Sequence, residues 1–336
     1  MVRRRMTGLV VAGLLALMLG CGEEGKGPAE GAKEGEKGAK KLTFAVIPKA
    51  DVFTFWPTVR RGAEAACKDL GAEMVWRGAK NETSITDEIQ IVELMIGKKV
   101  DGIVLAPQSD TALVQVVEKA VAAGIPVAVI DSGLKSDKYV SFVATDNYQG
   151  GVTGAERLAE AIGKKGKVAL IKNIPGSAST EQREAGFKDT LKKFPDIELV
   201  SELHAMGDST KANEVVTTIL SKHGDLAGIF TANEPGAIGA LNAVKRASKA
   251  GQVKIVGFDA SPSLIKGIRD GVLDSTIVQD PFQMGYRGVK VLYDHIQGKT
   301  VPKEDKPLAQ LVTKENLDTP AIQKHLEAYG ADAKSE

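Results

Sequence analysis

The sequence predicts an α/β protein with two doubly wound, parallel-sheet lobes, and three observations support this fold class. From residue 42 onward, short β-branched runs alternate with longer amphipathic stretches. Consecutive runs start roughly 25–30 residues apart, which is the spacing of strand–helix–strand units with parallel strands. The alternation forms two series, and the 295 residues after Lys41 exceed what a single core comfortably holds, so two domains are expected.

The first series contains four apolar runs, and an amphipathic stretch follows each of the first three. The runs are almost continuously apolar, as strands are in a sheet that helices cover on both faces. Strands are predicted at residues 42–48, 73–76, 102–105 and 126–130, and helices at residues 55–70, 86–97 and 110–123.

A second series begins after an apolar run at residues 140–143. Its strands are predicted at residues 167–172, 198–204, 228–230 and 254–257, and its helices at residues 150–162, 180–194, 210–221, 237–247 and 262–270. The remaining elements, strands at 275–278 and 308–313 and helices at 284–296 and 320–329, do not make a third domain. The chain is therefore expected to cross back, with one stretch completing each lobe.

The first 41 residues indicate export and a membrane anchor. Three arginines at residues 3–5 precede an apolar or small stretch at 9–19, which predicts a secretory signal peptide over residues 1–20. The small residue before Cys21 resembles the bacterial lipobox, which implies cleavage there and lipid attachment to the cysteine sulfur. The stretch that follows has no aromatic and no large aliphatic residue, so residues 21–41 are expected to be a lipidated cysteine and a flexible linker. The body would lie in the periplasm or at the cell surface, held to the membrane by lipid alone.

The composition excludes several classes of function. A net charge of +1 gives no electrostatic reason to expect a nucleic-acid partner. With Cys21 lipidated, Cys67 is the only other thiol, and its apolar helical surroundings predict a buried core cysteine. The four histidines are scattered, and neither a phosphate-binding loop nor a nucleophile elbow is present. We therefore expect no metal, no cofactor and no enzymatic activity.

Polar and aromatic residues follow the predicted strands, at the sheet edge where open α/β proteins bind ligands. The candidate ligand-binding residues are Lys49, Phe55, Trp56, Asp131, Ser132, Arg183, Asn233, Glu234, Asp259 and Gln279. Carboxylate, amide and guanidinium groups hydrogen-bond well to hydroxyls, and aromatic faces pack against the C–H faces of a sugar ring. The set therefore predicts a site for a small sugar or polyol.

Some of these residues also have simpler interpretations. Phe55 and Trp56 begin a helix and could be core residues. Asp131 could form a turn after its strand. Lys49 could be a solvent-facing loop charge, whereas the sharper hypothesis pairs its ammonium with Asp131, Glu234 or a ligand oxygen.

The second half of the set leaves similar choices open. Arg183 could be a surface residue paired with a neighbouring acid. Asn233 could cap the helix that follows it, and Asp259 could cap the helix at Pro262. Gln279 follows a strand directly, and no helix needs it as a cap.

Eight stretches, in order and at compatible spacing, resemble the ribose-type periplasmic binding proteins that serve ABC transporters, particularly a lipoprotein branch. The resemblance covers residues 42 to about 317. The stretches are Phe55-Trp56 with Arg61-Gly62-Ala63, Asp101 to Pro107, Gly124 to Asp131, Ala144 to Asn147, Arg183 to Phe187, Ala232 to Glu234, Val256 to Asp259, and Val278-Gln279 before Met284-Gly285.

The resemblance implies a type I periplasmic binding protein with three hinge crossovers, near Thr145, Gln279 and Leu311. Residues 42–145 plus 280–310 would form the N-terminal lobe, and residues 146–279 plus 311–336 the C-terminal lobe. The aromatic pair would lie on the sugar faces and the polar candidates on the hydroxyls. The protein would act as a monomer that closes about its hinge and delivers its sugar to an ABC transporter permease.

The chain departs from the ribose binders at several positions. Lys49 and Phe53 stand where those proteins carry a small polar residue and an asparagine, and Ser132 stands where they carry an arginine. The aromatic residue of their second lobe is replaced near Met206-Gly207. We therefore expect a ligand other than ribose.

Other functions remain open to different degrees. A sensor lipoprotein that presents a sugar or furanosyl signal to a chemoreceptor or kinase would use the same closed shape. A sugar-responsive DNA-binding regulator is disfavoured, because a signal and tether occupy the place of a DNA-binding domain. A sugar hydrolase or isomerase would need paired carboxylates in one cleft, for which Asp131 and Asp259 are the candidates.

Overall fold

Residues 41–330 are described by the structure, which is a computed structural model. The predicted signal peptide, Cys21, the linker up to residue 40, and residues 331–336 lie outside the described residues. Within residues 41–330, no helix combines the length and the apolar character needed to cross a bilayer.

Helices and strands alternate along most of the described chain. In order, the elements are β1 (Thr43–Ile47), α1 (Phe55–Leu70), β2 (Glu73–Trp76), α2 (Ile85–Gly97), β3 (Gly102–Leu105), α3 (Val114–Ala122), β4 (Val127–Ile130), β5 (Ser141–Val143), α4 (Asn147–Ala161), β6 (Gly166–Lys172), α5 (Ala178–Leu191), β7 (Ile197–His204), α6 (Ser209–Lys222), β8 (Leu226–Thr231), α7 (Glu234–Arg246), β9 (Lys254–Phe258), α8 (Pro262–Arg269), β10 (Ser275–Val278), α9 (Pro281–Ile296), β11 (Glu304–Asp305), β12 (Gln310–Thr313) and α10 (Pro320–Glu327).

The strands form two six-stranded sheets, one in each lobe. The strand order is β11-β5-β4-β3-β1-β2 in the first sheet and β12-β10-β9-β8-β6-β7 in the second. The two orders correspond strand by strand, so the two lobes share the same strand order. All pairings are parallel except the one between β10 and β12, which is antiparallel.

The chain passes between the lobes three times. After β5, helix α4 packs against strands β8, β9 and β10 of the second sheet. After β10, helix α9 packs against α1 and against β3, β4 and β5 of the first sheet. The third passage runs from β11 to β12, over residues 306–309, slightly before Leu311. The predicted fold class, two doubly wound lobes joined by three crossovers, is confirmed.

Each sheet has an apolar core on both of its faces. In the first lobe, β1 alternates between two clusters, with Phe44 and Val46 on one side and Ala45 and Ile47 on the other. The second sheet likewise contributes to two clusters. This double burial is why the strands read as unbroken apolar runs in the sequence.

Several element boundaries differ from the sequence prediction for local reasons. Helices α4 and α9 begin three residues earlier than predicted, because Asp146 and Asp280 cap them by accepting a backbone hydrogen bond. Helix α3 begins four residues later than predicted, because the Ser109 hydroxyl accepts the N–H groups of Thr111 and Ala112 and holds a turn. The short strand β11 was not predicted at all, because two polar residues carry no strand pattern.

Glycines let two helix pairs pack with their backbones in contact. Between α4 and α5, a Cβ atom on Gly151 would overlap the carbonyl oxygen of Arg183, and one on Gly186 would overlap the α4 backbone. The α1–α9 pair of the first lobe repeats this arrangement with Gly62 and Gly285. The close approach of α4 and α5 fixes the position of Arg183, which belongs to the cavity described below.

We expect Gly151→Ala to lower the free energy of unfolding by at least about 2 kcal/mol, since the added methyl meets backbone that cannot move aside. Gly97→Ala, at the end of α2, is the matched control, because nothing lies near its Cβ position. That substitution should be neutral or slightly stabilising through helix propensity. Urea unfolding of both variants measures the difference, and equal stabilities would contradict the packing described.

Candidate functional site

A cavity lies between the lobes, where the carboxyl ends of both sheets face each other. The first lobe contributes Lys49, Phe53, Phe55, Trp56, Glu82 and Asp131, and the second contributes Asn173, Ser179, Thr180, Arg183, Asn233, Glu234, Pro235, Asp259 and Gln279. Nine of the ten residues predicted from the sequence therefore line one cavity.

Ser132 is the predicted residue that does not line the cavity. It is fully buried, and its hydroxyl accepts a hydrogen bond from the backbone N–H of Ser179, at 3.1 Å. Since Ser179 belongs to α5 of the second lobe, Ser132 makes a contact between the lobes rather than a wall of the cavity.

Asp131 and Asp259 occupy equivalent positions in the two lobes. Asp131 directly follows β4 and Asp259 directly follows β9, and these two strands hold the same place in the strand orders of their sheets. Each aspartate has a left-handed backbone, with φ of 61° and 71°. The Asp259 carboxylate accepts from the Gln279 amide at 2.6 Å and from the backbone N–H of Glu234 at 2.9 Å. It does not cap the helix at Pro262, so that simpler interpretation is wrong.

Lys49 is buried and joins the two lobes. Its ammonium forms an ion pair with Asp131 at 2.9 Å, and it donates to the hydroxyls of Ser177 and Ser179, both at 3.2 Å. These three partners account for the three N–H groups of the ammonium. Of the partners proposed from the sequence, Asp131 is the one observed, and the solvent-facing interpretation is wrong.

Arg183 is 2% exposed, so it is not a surface residue paired with a neighbouring acid. Its guanidinium donates to the side-chain oxygen of Asn147 and to the carbonyl of Ala232, both at 2.8 Å. The same group stacks 3.8 Å from the ring centre of Phe258. Burial lowers the pKa of Arg183, while the carboxylate of Asp259 acts in the opposite direction. The arginine is thereby held rigidly at the cavity wall.

Asn233 and Glu234 lie at the start of α7 and have separate tasks. The side-chain oxygen of Asn233 accepts from the N–H of Gly236, so it caps the helix as the simpler interpretation proposed, and its amide group remains for the cavity. The Glu234 carboxylate accepts from the backbone N–H groups of Thr54 and Phe55, at 3.0 and 3.3 Å, across the cleft. A carboxylate is favourable at this position because those N–H groups are the positive end of α1.

Phe55 and Trp56 belong both to the core of the first lobe and to the cavity wall. Their rings meet edge to face, 4.9 Å apart between centres. The Trp56 indole N–H donates to the Glu82 carboxylate at 2.8 Å. The core interpretation is therefore confirmed, and the ligand-binding role of the two aromatics stays a prediction.

Four polar residues of the cavity were missed by the sequence prediction: Glu82, Asn173, Ser179 and Thr180. Asn173 directly follows β6, so the rule that found the other candidates could have found it as well. Glu82 lies in the loop between β2 and α2, well past the end of its strand, and no strand-end signal marks it.

Two buried acceptor oxygens of the cavity residues lack a hydrogen-bond partner within residues 41–330. They are Oδ1 of Asn173 and Oε1 of Gln279. Buried oxygens normally accept a hydrogen bond. A ligand rich in O–H or N–H donors would satisfy both.

The cavity contains more acids than bases. Four carboxylates, from Glu82, Asp131, Glu234 and Asp259, accompany the two cations already described. Burial and the nearby Asp259 raise the pKa of Glu234 to about 7. Burial also raises the pKa of Glu82 and of Asp259. Such a site disfavours an anionic ligand and suits one that donates hydrogen bonds.

A second layer supports Lys49 from behind. The Gln108 amide donates to the carbonyls of Lys49, at 2.6 Å, and Asn81, at 3.0 Å. The backbone N–H of Gln108 in turn donates to Glu88, which is 0% exposed. Burial raises the pKa of Glu88 to about 8, so it holds a proton at neutral pH.

No group of three or more His, Cys, Asp or Glu side chains in the described part of the chain could hold a metal ion. Cys67 is buried, as predicted, and burial raises the pKa of its thiol to about 11. A thiol in that state is unreactive.

Comparison with known proteins identifies the family. Residues 44–300 match the family described as periplasmic binding protein domain. The chain is 30% identical over 290 residues to the ribose import binding protein of Bacillus subtilis, covering 86% of this chain and 92% of that one. It is 32% identical over 278 residues to the D-allose-binding periplasmic protein of Escherichia coli, covering 80% and 89%.

A solved structure agrees with these relatives. An ABC transporter solute binding protein from Agrobacterium vitis with bound D-fucose is 37% identical and has a TM-score of 0.81, over 83% of this chain and 98% of that one. The chain thus belongs to the periplasmic binding protein family. Within that family it is one of the ribose-type proteins, which are binding proteins and not enzymes. The family indicates an extracytoplasmic location.

Replacing Glu88 by glutamine is expected to remove a pH dependence of stability. Because the pKa of this acid is about 8 in the folded protein and about 4 in an unfolded chain, unfolding releases a proton between these values. The contribution of Glu88 to the free energy of unfolding therefore falls as the pH rises through this window. Relative to the parent, E88Q should gain about 3 kcal/mol between pH 5 and pH 8. Urea unfolding at both pH values measures this gain, and a constant difference would contradict it.

Proposed function

We propose that this protein captures a small sugar or polyol in the cleft between its lobes and delivers it to the permease of an ABC transporter. The observation that carries the proposal is the pair of unpartnered buried acceptors, Asn173 Oδ1 and Gln279 Oε1, in a cavity that both lobes line. The relatives support it, since they include a ribose import binding protein, a D-allose-binding periplasmic protein and a solute binding protein with bound D-fucose.

The cavity residues divide the work of binding. Phe55 and Trp56 pack against the C–H face of the sugar ring, while Asp131, Asn173 and Gln279 accept from its hydroxyls. Further hydrogen bonds to the ligand come from the amide of Asn233, from Arg183 and from Glu82. Hydrogen bonds to charged groups contribute roughly 1.5–3 kcal/mol each, so a few of them suffice for micromolar capture.

Capture is coupled to closure about the three crossovers, at residues 144–146, 279–280 and 306–309. The lobe bounds that follow from the family resemblance, 42–145 plus 280–310 and 146–279 plus 311–336, remain part of this proposal. Ligand that contacts both lobes favours the closed arrangement by its differential affinity for it. The transporter then recognises the closed shape of a monomer.

The ligand is a sugar other than ribose. The three N–H groups of Lys49 bind Asp131, Ser177 and Ser179. Because the ammonium occupies one carboxylate oxygen of Asp131, the other oxygen remains for the ligand. The Ser132 hydroxyl binds the backbone N–H of Ser179 in the contact between the lobes and does not line the cavity. The first lobe therefore offers fewer charged groups to hydroxyls than an aspartate–arginine pair would.

A thermal-shift screen of pentoses, hexoses, deoxysugars and polyols is expected to find ligands, because a ligand that binds only the native state raises the Tm. Asn173→Leu should lower the affinity for the tightest-binding sugar by about 10- to 100-fold, because a ligand hydroxyl loses its acceptor. The same change should leave the Tm without ligand unchanged or raised, because it removes an unpartnered buried oxygen. Isothermal titration calorimetry gives the affinities.

Gln252→Leu is the control, an exposed residue two positions before β9, at the sheet edge opposite the cavity. It should leave the affinity of every sugar unchanged. The proposed site would be contradicted if no sugar in the screen binds, or if Asn173→Leu binds its sugar with unchanged affinity.

Lipid anchoring at Cys21 is tested separately. In cells fed radiolabelled palmitate, the parent protein should carry the label and Cys21→Ala should not. Cys67→Ala, which replaces the buried thiol, is the control and should be labelled like the parent. Label that persists in Cys21→Ala would contradict the lipid anchor and leave sugar binding unaffected.

A further inference from the structure

Phe53 has an unusual backbone for a bulky residue. It lies in the loop between β1 and α1 with φ of 64°, in the left-handed region that glycine and short polar residues normally occupy. Strained residues of this kind persist only where the surrounding structure holds them, and they cluster at functional sites.

The loop around Phe53 is held on both sides. On one side, Asp51 accepts from the indole N–H of Trp76 at 3.3 Å. On the other, the backbone N–H of Thr54 donates to Glu234 of the second lobe, and its carbonyl accepts from the Thr58 hydroxyl at 2.9 Å. These contacts fix the backbone without using the phenyl ring.

The ring of Phe53 belongs to the cavity rather than to the core. The residue is only partly buried, and it is absent from the apolar cluster that contains Phe55 and Trp56. Phe55 and Trp56 form an edge-to-face ring pair and belong to the core, whereas Phe53 lines the cavity without belonging to that cluster. The second lobe adds no aromatic side chain to the cavity wall. Phe53 therefore presents an apolar surface of its own in a cavity whose other walls are largely polar.

We infer that Phe53 sets ligand specificity, and that the site takes a deoxy sugar whose unsubstituted carbon faces this ring. The inference deepens the proposed function and rests on it. A hydroxyl placed against the ring would leave water without gaining a hydrogen-bond partner, which is unfavourable. A methyl or methylene group at the same place loses nothing and buries apolar surface. The strained backbone is retained because it brings the ring to the ligand.

The first test compares each parent sugar with its deoxy forms in the parent protein and in Phe53→Asn. The probes are D-galactose and D-glucose, each with its 2-deoxy and 6-deoxy form, and D-ribose with 2-deoxy-D-ribose. In the parent protein, at least one deoxy form should bind about tenfold more tightly than its parent sugar. In Phe53→Asn, whose side chain can hydrogen-bond a hydroxyl, that ratio should fall to one or reverse.

The second test separates ring from backbone. Phe53→Gly and Phe53→Ala both remove the ring, but only glycine relieves the left-handed backbone, so Phe53→Gly should have the higher Tm. Both should lose the preference for the deoxy form. Ser248→Gly, at another left-handed position in a surface turn, is the control, and it should leave every affinity ratio unchanged.

The outcomes distinguish this inference from the function on which it rests. If sugars bind but no deoxy form is preferred, or if the preference is the same in Phe53→Asn, the role of Phe53 is overturned and sugar capture stands. If none of the sugars in this set or in the wider screen binds, the proposed function fails, and the inference fails with it.

Discussion

Two buried charged side chains reach across the cleft, and the geometry of the cavity depends on them. Lys49 extends from the first lobe to the serines that begin α5, and Glu234 extends from the second lobe to the N–H groups that begin α1. Helices α1 and α5 follow equivalent strands, so the two contacts are reciprocal. A carboxylate suits a helix N-terminus, whereas an ammonium does not. The ion pair with Asp131 supplies the negative charge that lets Lys49 lie there.

These contacts help to explain why closure and binding would be one equilibrium. Opening the cleft would return Glu234 to water, and Lys49 would keep Asp131 but lose its two serines. Buried ion pairs contribute little net stability, because desolvation offsets most of their attraction. Such contacts define how the lobes meet without holding them shut strongly. The equilibrium between the open and closed arrangements then depends on the ligand and its contacts with groups such as Asn173 and Gln279.

The fold could be predicted almost completely from the sequence, because strands buried on both faces leave an unmistakable apolar run. The polar residues at strand ends followed from the same pattern, and Arg183, Asp259 and Gln279 were found in this way. Contacts between lobes could not be predicted, since they join residues more than a hundred positions apart, as Lys49 and Ser177 are. Glu82 reaches the cavity from a loop whose course no local pattern encodes. The helix starts at Asp146 and Asp280 were misplaced because a capping aspartate was counted as loop.

The exchange of helices between lobes has a consequence for the order in which the protein can be built. Helix α9, which follows the last parallel strand of the second lobe, contributes Met284, Val289 and Leu292 to the core of the first. Until the ribosome has synthesised this helix, the glycine face of α1 has no neighbour and α1 covers one face of the first sheet alone. The first lobe is therefore not an independent unit of synthesis, because its core is complete only after α9 has left the ribosome.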